Sequence, residues 1–170
     1  LIQHNSDILL KLINQLLDLA KLESGTLVVK NTESDLSLFL KILTHSFSSA
    51  AMQKEIDYVI ELPLVHYMAN FDRDKMETIL NNLISNAIKF TPNGGRVAVK
   101  GEVVENGHLI FSVSDTGTGI PDEHKEKIFE RFYQVKEDAM QYKMGTGIGL
   151  ALVKEMTELL NGNISVVSMP

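Results

Sequence analysis

Asn82, Asn86 and Lys89 stand at i, i+4 and i+7 within the run from Thr78 to Pro92. On a helix that spacing puts two amides and an ammonium on one face. An amide oxygen is a neutral hard ligand for Mg2+, which keeps waters and phosphate oxygens in its shell. A lysine adds a point charge for a phosphate. The stripe therefore suits a Mg2+–polyphosphate. A solvated polar face with an accidental asparagine pair satisfies the same pattern, and from the helix alone it is the better reading.

Two glycine segments follow. Asp115-Thr-Gly-Thr-Gly-Ile-Pro121 comes after an apolar run, Leu109 to Ser114, that reads as a strand. An ionised carboxylate only accepts hydrogen bonds. The exocyclic amine of adenine donates, so a buried Asp115 facing it would discriminate against guanine. Gly117 and Gly119 allow tight backbone beside a flat base, although the same residues also make an ordinary turn. The second segment, Gly145-Thr-Gly-Ile-Gly-Leu150, precedes an amphipathic run through Leu152, Val153, Met156 and Leu160. Glycines before a helix let backbone N–H groups approach phosphate oxygens. No Gly-Lys-Ser/Thr follows, so this is not a Walker A loop. No strand immediately precedes it, which argues against a dinucleotide fingerprint, and a plain glycine linker remains open. Between the segments lie Phe129 and Phe132, either hinge or core aromatics, and an aperiodic stretch, Glu137 to Met144. With Phe129 and Phe132 on one side and Gly145 on the other, residues 136–147 read as a lid able to close over phosphates.

In this order, the asparagine helix, the Asp-x-Gly-x-Gly segment, the Phe pair and the Gly-x-Gly-x-Gly segment resemble the N, G1, F and G2 boxes of bacterial sensor histidine kinases. The resemblance covers nearly the whole chain. It implies an α+β fold, a two-layer α/β sandwich of the Bergerat type shared with gyrase, mismatch-repair proteins and certain heat-shock chaperones. It also implies ATP and Mg2+ as cofactors, with Asn82 holding the metal and Asn86 and Lys89 near the phosphates. Asp115 would read adenine, with Gly117 and Gly119 shaping the base pocket and Phe90 and Ile120 beside it. Arg131 and Tyr133 match lid positions that approach ATP, and Gly145, Thr146, Gly147, Ile148, Gly149 and Leu150 would sit at the phosphates. Asn82, Lys89 and Arg131 would carry phosphoryl transfer. Residues 1–25 resemble the second helix of the dimerisation and phosphoacceptor hairpin, and residues 26–170 the ATP-binding domain with its last strand missing.

The same resemblance implies phosphoryl transfer from ATP to a histidine and onward to a response regulator receiver domain, within a homodimer. None of His4, His45, His66, His108 and His124 stands in the His-Glu/Asp-x-x-Thr/Asn-Pro setting expected of the acceptor. The chain is therefore expected to be a piece of a longer protein, a cytoplasmic domain whose parent is anchored in the inner membrane by other parts. Gyrase- and chaperone-type relatives carry a water-activating Glu where this chain has Asn82, and an amide is no general base. A hydrolytic ATPase and a non-catalytic nucleotide-gated module are the rival readings.

The elements that must position these residues follow from patterning. A net charge of −6 argues against general nucleic-acid binding, and an apolar fraction of 44% supports an ordinary core. No cysteine is present to form a disulfide, and no apolar run reaches membrane-spanning length. Residues 2–23 read as a helix with a bundle-type seam through Leu9, Leu12, Leu16 and Leu19, ended at Ser24-Gly25. Leu27 to Val29 reads as a short strand. Ser34 reads as the cap of a helix running to about Ala51. Ile56–Leu62 and Tyr67–Phe71 read as strands, and Asp72 as the cap of the asparagine helix. Arg96–Val104 and Leu109–Ser114 flank Asn106-Gly107, a hairpin signal. Pro121–Glu126 reads as a short lid helix and Ile164–Val167 as a strand cut short.

Overall fold

The computed structural model describes residues 2–63, 65–105, 107–135 and 146–169, with the side chains of residues 2–8 and 11 outside the description. The expected turn residue Asn106, Gly145 and most of the expected lid lie outside the described residues. The chain forms two compact units, one from the N-terminal residues to Val29 together with Ile120–Met169, the other Lys30–Gly119. The fold is α+β, as the resemblance implies.

In the second unit, β1 (Thr32–Asp35) pairs antiparallel with β3 (Met68–Phe71). A separate sheet has β4 (Arg96–Val103) at its centre, parallel to β2 (Asp57–Glu61) and antiparallel to β5 (Leu109–Asp115). Helices α2 (Leu36–His45), α3 (Ser48–Gln53) and α4 (Arg73–Phe90) complete the unit. α4 packs on β4, β5 and α2. Its apolar face, Ile79, Leu80, Ile84, Ala87 and Ile88, is buried, as are Val97 and Val99 of β4 and Leu40 of α2. Alternation on β4 and 3.6-periodicity on α4 thus meet in one core, leaving the polar stripe of α4 to be placed by that packing.

α4 begins on Asp72, whose carboxylate accepts from Lys75 N–H (3.1 Å), Lys75 Nζ (2.7 Å) and Lys30 N–H (2.7 Å). Asp72 and Lys75 are 3% and 7% exposed, a buried pair that also caps the helix. Burial alone would raise the Asp72 carboxyl; the bonds from Lys30 and Lys75 outweigh it and hold the carboxyl below its ordinary value. Tyr58, whose hydroxyl donates to Thr44 O at 2.9 Å, has its phenol pushed up by burial to about 12.

Two expectations in this unit change. Ser34 lies inside β1 opposite Ala69, and the cap of α2 is Asp35, accepting from Leu38 N–H at 2.9 Å. The helix expected to reach Ala51 breaks after His45, where Ser46 Oγ donates back to Leu43 O at 2.7 Å. Such local hydroxyl bonds compete with the helical ladder.

The first unit contains α1 (Ile2–Glu23) and α5 (Gly149–Leu159), which contact one another, and two 3-10 turns, Asp122–His124 and Lys127–Phe129. The 3-10 turns replace the expected Pro121–Glu126 helix. α1 closes with a Schellman motif: Gly25 at φ +64°, Thr26 N–H on Lys21 O and Gly25 N–H on Leu22 O. Leu27 N–H also goes to Lys21 O, and Lys30 N–H goes to Asp72. Leu27 N–H is thus committed to the α1 cap, and Leu27–Val29 forms no strand with any of the described residues. Ile164–Val167 joins no ladder among the described residues either. The neighbouring Ser168 instead accepts from Ile120 N–H (2.8 Å) through Oγ and from Lys125 Nζ (2.5 Å) through its carbonyl.

Candidate nucleotide-binding site

Asn82 is 7% exposed, so it is not part of a solvated polar face. Its Nδ2 donates to Thr78 O at 2.8 Å, which assigns the nitrogen to the helix backbone. Asn86 and Lys89, one and two turns on, are half-buried. The Lys89 ammonium sits 4.7 Å from the Phe90 ring centroid. A cation over an aromatic face keeps a modest attraction and can still turn toward an anion.

The Asp115 turn lies against the end of the same helix. Asp115 Oδ1 accepts from Gly117 N–H at 2.8 Å, an Asx turn that fixes the carboxylate. A Cβ on Gly117 would stand 2.9 Å from Phe90 O, so only glycine lets the turn approach α4 this closely. Thr116 bridges to β4: its Oγ1 accepts from Arg96 N–H (2.9 Å) and its N–H donates to Arg96 O (3.0 Å). Gly119 takes φ +73°. The expectation of a buried Asp115 is not met. The side chain is exposed, because the strand ends there and the turn runs along the surface.

In the other unit, Gly147 at φ +69° accepts from Phe132 N–H at 2.9 Å, and a Cβ there would lie 2.6 Å from the Phe132 carbonyl carbon. Phe132 itself is at φ +63° while 63% exposed. Thr146 Oγ1 accepts from Ile148 N–H (3.2 Å) just before α5 starts at Gly149. Ile148 is buried as a core residue and Leu150 is half-buried. The Tyr133 hydroxyl is bonded to His124 Nδ1 at 2.6 Å. Arg131 is engaged by carboxylates: Nε and Nη2 donate to Glu155 Oε1 (3.0 and 2.8 Å) and Nη1 to Glu23. Those bonds raise its guanidinium above the ordinary value.

Among the described residues no group of three His, Cys, Asp or Glu could hold a metal ion. A hard cation here would therefore rely on the Asn82 oxygen, waters and phosphate oxygens, a set that suits Mg2+.

Within the Lys30–Gly119 unit, an acceptor at the Asp115 turn lies beside a helix carrying one buried and one half-buried amide, and comparison decides the family. The model of the histidine kinase-, DNA gyrase B-, and HSP90-like ATPases matches residues 71–170. The chain belongs to this family. It is 42% identical over 169 residues to the sensor histidine kinase TmoS of Ectopseudomonas mendocina, covering 99% of this chain and 17% of that protein. It is 40% identical over 171 residues to the hybrid signal transduction histidine kinase D of Dictyostelium discoideum, covering 98% of this chain and 11% of that one. The chain thus spans less than a fifth of these relatives. Among solved structures, full-length ShkA in complex with AMPPNP aligns with a TM-score of 0.81 at 28% identity, over 98% of this chain and 34% of that one. The chain is an ATP-binding domain of the sensor histidine kinase type.

Sequence reasoning missed the residues that support this ATPase-family site rather than face it. Lys54 Nζ donates to Ile88, Lys89 and Thr91 carbonyls. Thr91, fully buried, donates to Ala87 O at 2.6 Å. Glu23 and Glu155 were also missed as partners of Arg131. The Thr91-Pro92 signal marked the helix end, but nothing in the local pattern of Lys54 points to a helix 34 residues on.

Proposed function

We propose that this domain binds ATP with Mg2+ and, in a longer protein, transfers the γ-phosphoryl to a histidine for relay to a receiver-domain aspartate. The observation that carries the reading is Asn82, buried with its nitrogen bonded to the helix. An amide oxygen can ligate a cation, but an amide cannot take a proton from water. Such a site stabilises a transferring phosphoryl without activating a hydrolytic nucleophile. The histidine nitrogen forms the new P–N bond as the bond from Pγ to the ADP oxygen breaks, and ADP leaves. Mg2+, held through Asn82, would supply charge neutralisation on the phosphates. Asn86 and Lys89 would approach the phosphates, with Lys89 moving off the Phe90 ring. Asp115 would accept from the adenine amine, with its second oxygen steadying Gly117. Arg131 is placed by this reading near ATP only after it exchanges Glu155 and Glu23 for phosphate.

Residues 1–25 act, in this reading, as a dimerisation helix, and residues 26–170 as the catalytic part. Among the described residues no helix is long and apolar enough to cross a membrane; a cytoplasmic placement with an anchor elsewhere belongs to the same proposal. Support comes from the family match, and from the binding of AMPPNP, an ATP analogue, by ShkA.

Calorimetric titration of the 170-residue chain with ATP and GTP, each with and without Mg2+, tests the reading. Binding of ATP that tightens with Mg2+ and exceeds GTP binding is expected. Equal affinity for the two nucleotides would remove the adenine assignment, and rapid ATP hydrolysis by the chain alone would favour the hydrolytic rival.

A further inference from the structure

Lys54 follows α3, far in sequence from every residue assigned to the nucleotide. Its ammonium donates to Ile88 O (2.6 Å), Lys89 O (3.1 Å) and Thr91 O (2.6 Å). An ammonium has three N–H donors, and these three carbonyls match them. The last carbonyls of a helix lack intrahelical partners and carry its negative dipole end. Lys54 satisfies both needs at the C-terminus of α4. Its own carbonyl accepts from Gly94 N–H at 3.1 Å, so one residue holds the 88–94 turn from two sides.

That turn is the common support of both halves of the unit's nucleotide site. Toward the phosphates, Lys89 belongs to the gripped backbone, and Asn86 and Asn82 precede it on the same helix. Toward the base, Phe90 O, lying between the gripped carbonyls, is the atom against which Gly117 rests. Past the turn, Gly95 O accepts from Asp57 N–H (2.8 Å), and Arg96 exchanges bonds with Thr116, next to Asp115. A movement of the 88–94 backbone would shift the amide stripe and the Asp115 turn together.

We propose that Lys54 is a positioning residue for nucleotide binding, setting the spacing between the phosphate-facing stripe of α4 and the adenine-reading turn at Asp115. The inference rests on the adenine-nucleotide reading of this site. Lys54 touches no nucleotide. It acts by fixing the backbone that both recognition elements share.

The test compares wild type, Lys54→Met and Lys54→Arg in the 170-residue chain. Titration with ATP–Mg2+ and with adenosine gives affinity, thermal melting gives stability, and hydrogen exchange reads the Gly117 amide. Methionine keeps the apolar stem and removes the donors; arginine keeps charge and donors. Leu43→Ala, which cuts a cavity in the core of the same unit and should lower its melting temperature, is the control for a loss of stability alone. Lys54→Met should weaken ATP–Mg2+ about tenfold, the usual scale for a supporting-contact loss. It should also weaken adenosine and speed Gly117 exchange, while arginine recovers most of the affinity and Leu43→Ala retains it. Lys54→Met binding as wild type would overturn the proposal, as would an equal affinity loss in Leu43→Ala, which would make the effect one of stability alone. Absence of ATP binding by wild type would instead overturn the nucleotide reading itself.

Discussion

The two glycine segments look interchangeable as strings, yet the backbone around them is built differently. At Asp115–Gly119 the hydrogen bonds and the backbone conformation agree with the residues present. The aspartate accepts from its own turn, Thr116 completes bonds to Arg96, and glycines occupy the one close approach and the one left-handed position. At Gly147 the close approach is to Phe132, a bulky aromatic itself held at φ +63°. A non-glycine residue there costs about 1–3 kcal/mol and persists only where its surroundings hold it. Among the described residues the first segment is thus built without a strained non-glycine residue, whereas the second packs against one, Phe132. A base can be met by a rigid surface. In the proposed reading the second segment, beside a strained residue, is the one that would meet the phosphates.

Adding one methyl group to each segment should separate the two most strongly. In Gly117→Ala the new Cβ meets Phe90 O at 2.9 Å, and backbone cannot yield as a side-chain tip can. The turn should lift from α4, lowering ATP affinity about 30-fold while melting stays cooperative. In Gly147→Ala the clash with Phe132 adds to a left-handed φ, and the loss should appear mainly as stability, about 2–3 kcal/mol by thermal melting. If the two substitutions prove alike in both readouts, the segments do not differ as argued.

Asp115→Asn sharpens the first half. The amide oxygen can still accept from Gly117 N–H, so the turn and the melting temperature should hold. The obligatory acceptor is lost, and preference for ATP over GTP should fall about tenfold in competitive titration. A retained preference would show that the base is read elsewhere.

Acid distinguishes the two segments through their supports. The Asp115 turn rests on α4, which starts at Asp72, a carboxyl lowered because the bonds from Lys30 and Lys75 exceed the cost of burial. A carboxyl whose folded pKa is depressed contributes stability above its unfolded value of about 3.9 and loses it as pH falls through the folded value. Hydrogen exchange across an acid series should therefore show α4 and Gly117 losing protection below about pH 3.9. Asp72→Asn should show a flatter acid limb. If acid releases the amides of Gly147 and Ile148 while sparing α4, the assignment of Asp72 as the acid-sensitive support is wrong.

Much of this was legible in the residues. Asp72 as a cap, the apolar face of α4 and the hairpin strands follow from local chemistry that tertiary packing did not override. The Asn82–Asn86–Lys89 stripe was legible as a face, but its burial was not, because burial depends on what packs against the helix. Leu27–Val29 had strand composition, yet its neighbours' donors were claimed by the α1 cap and by Asp72. Arg131 was placed near ATP by the resemblance alone, and its bonds to Glu23 and Glu155 could not be read because those residues lie far away in the chain. Lys54 was invisible for the same reason: its partners are defined by the fold, and no period connects them.

The smallest expected effect is the most direct measure of strain. Phe132 is 63% exposed, so its removal gives up little buried area, and its backbone φ of +63° is one that glycine adopts freely. Phe132→Gly relieves the left-handed penalty but adds flexibility to the unfolded chain, an opposing term of about 0.4–1 kcal/mol. The net should be a stabilisation of about 1 kcal/mol or less, read as a small rise in melting temperature. Phe132→Ala is the control. It also deletes the ring but keeps a Cβ, so it should give no such rise. If glycine and alanine shift the melting temperature equally, the ring and not the backbone decides the outcome, and the second segment holds no strain to release. If glycine stabilises and alanine does not, the strain is located at one residue, beside the glycine loop that would meet the phosphates.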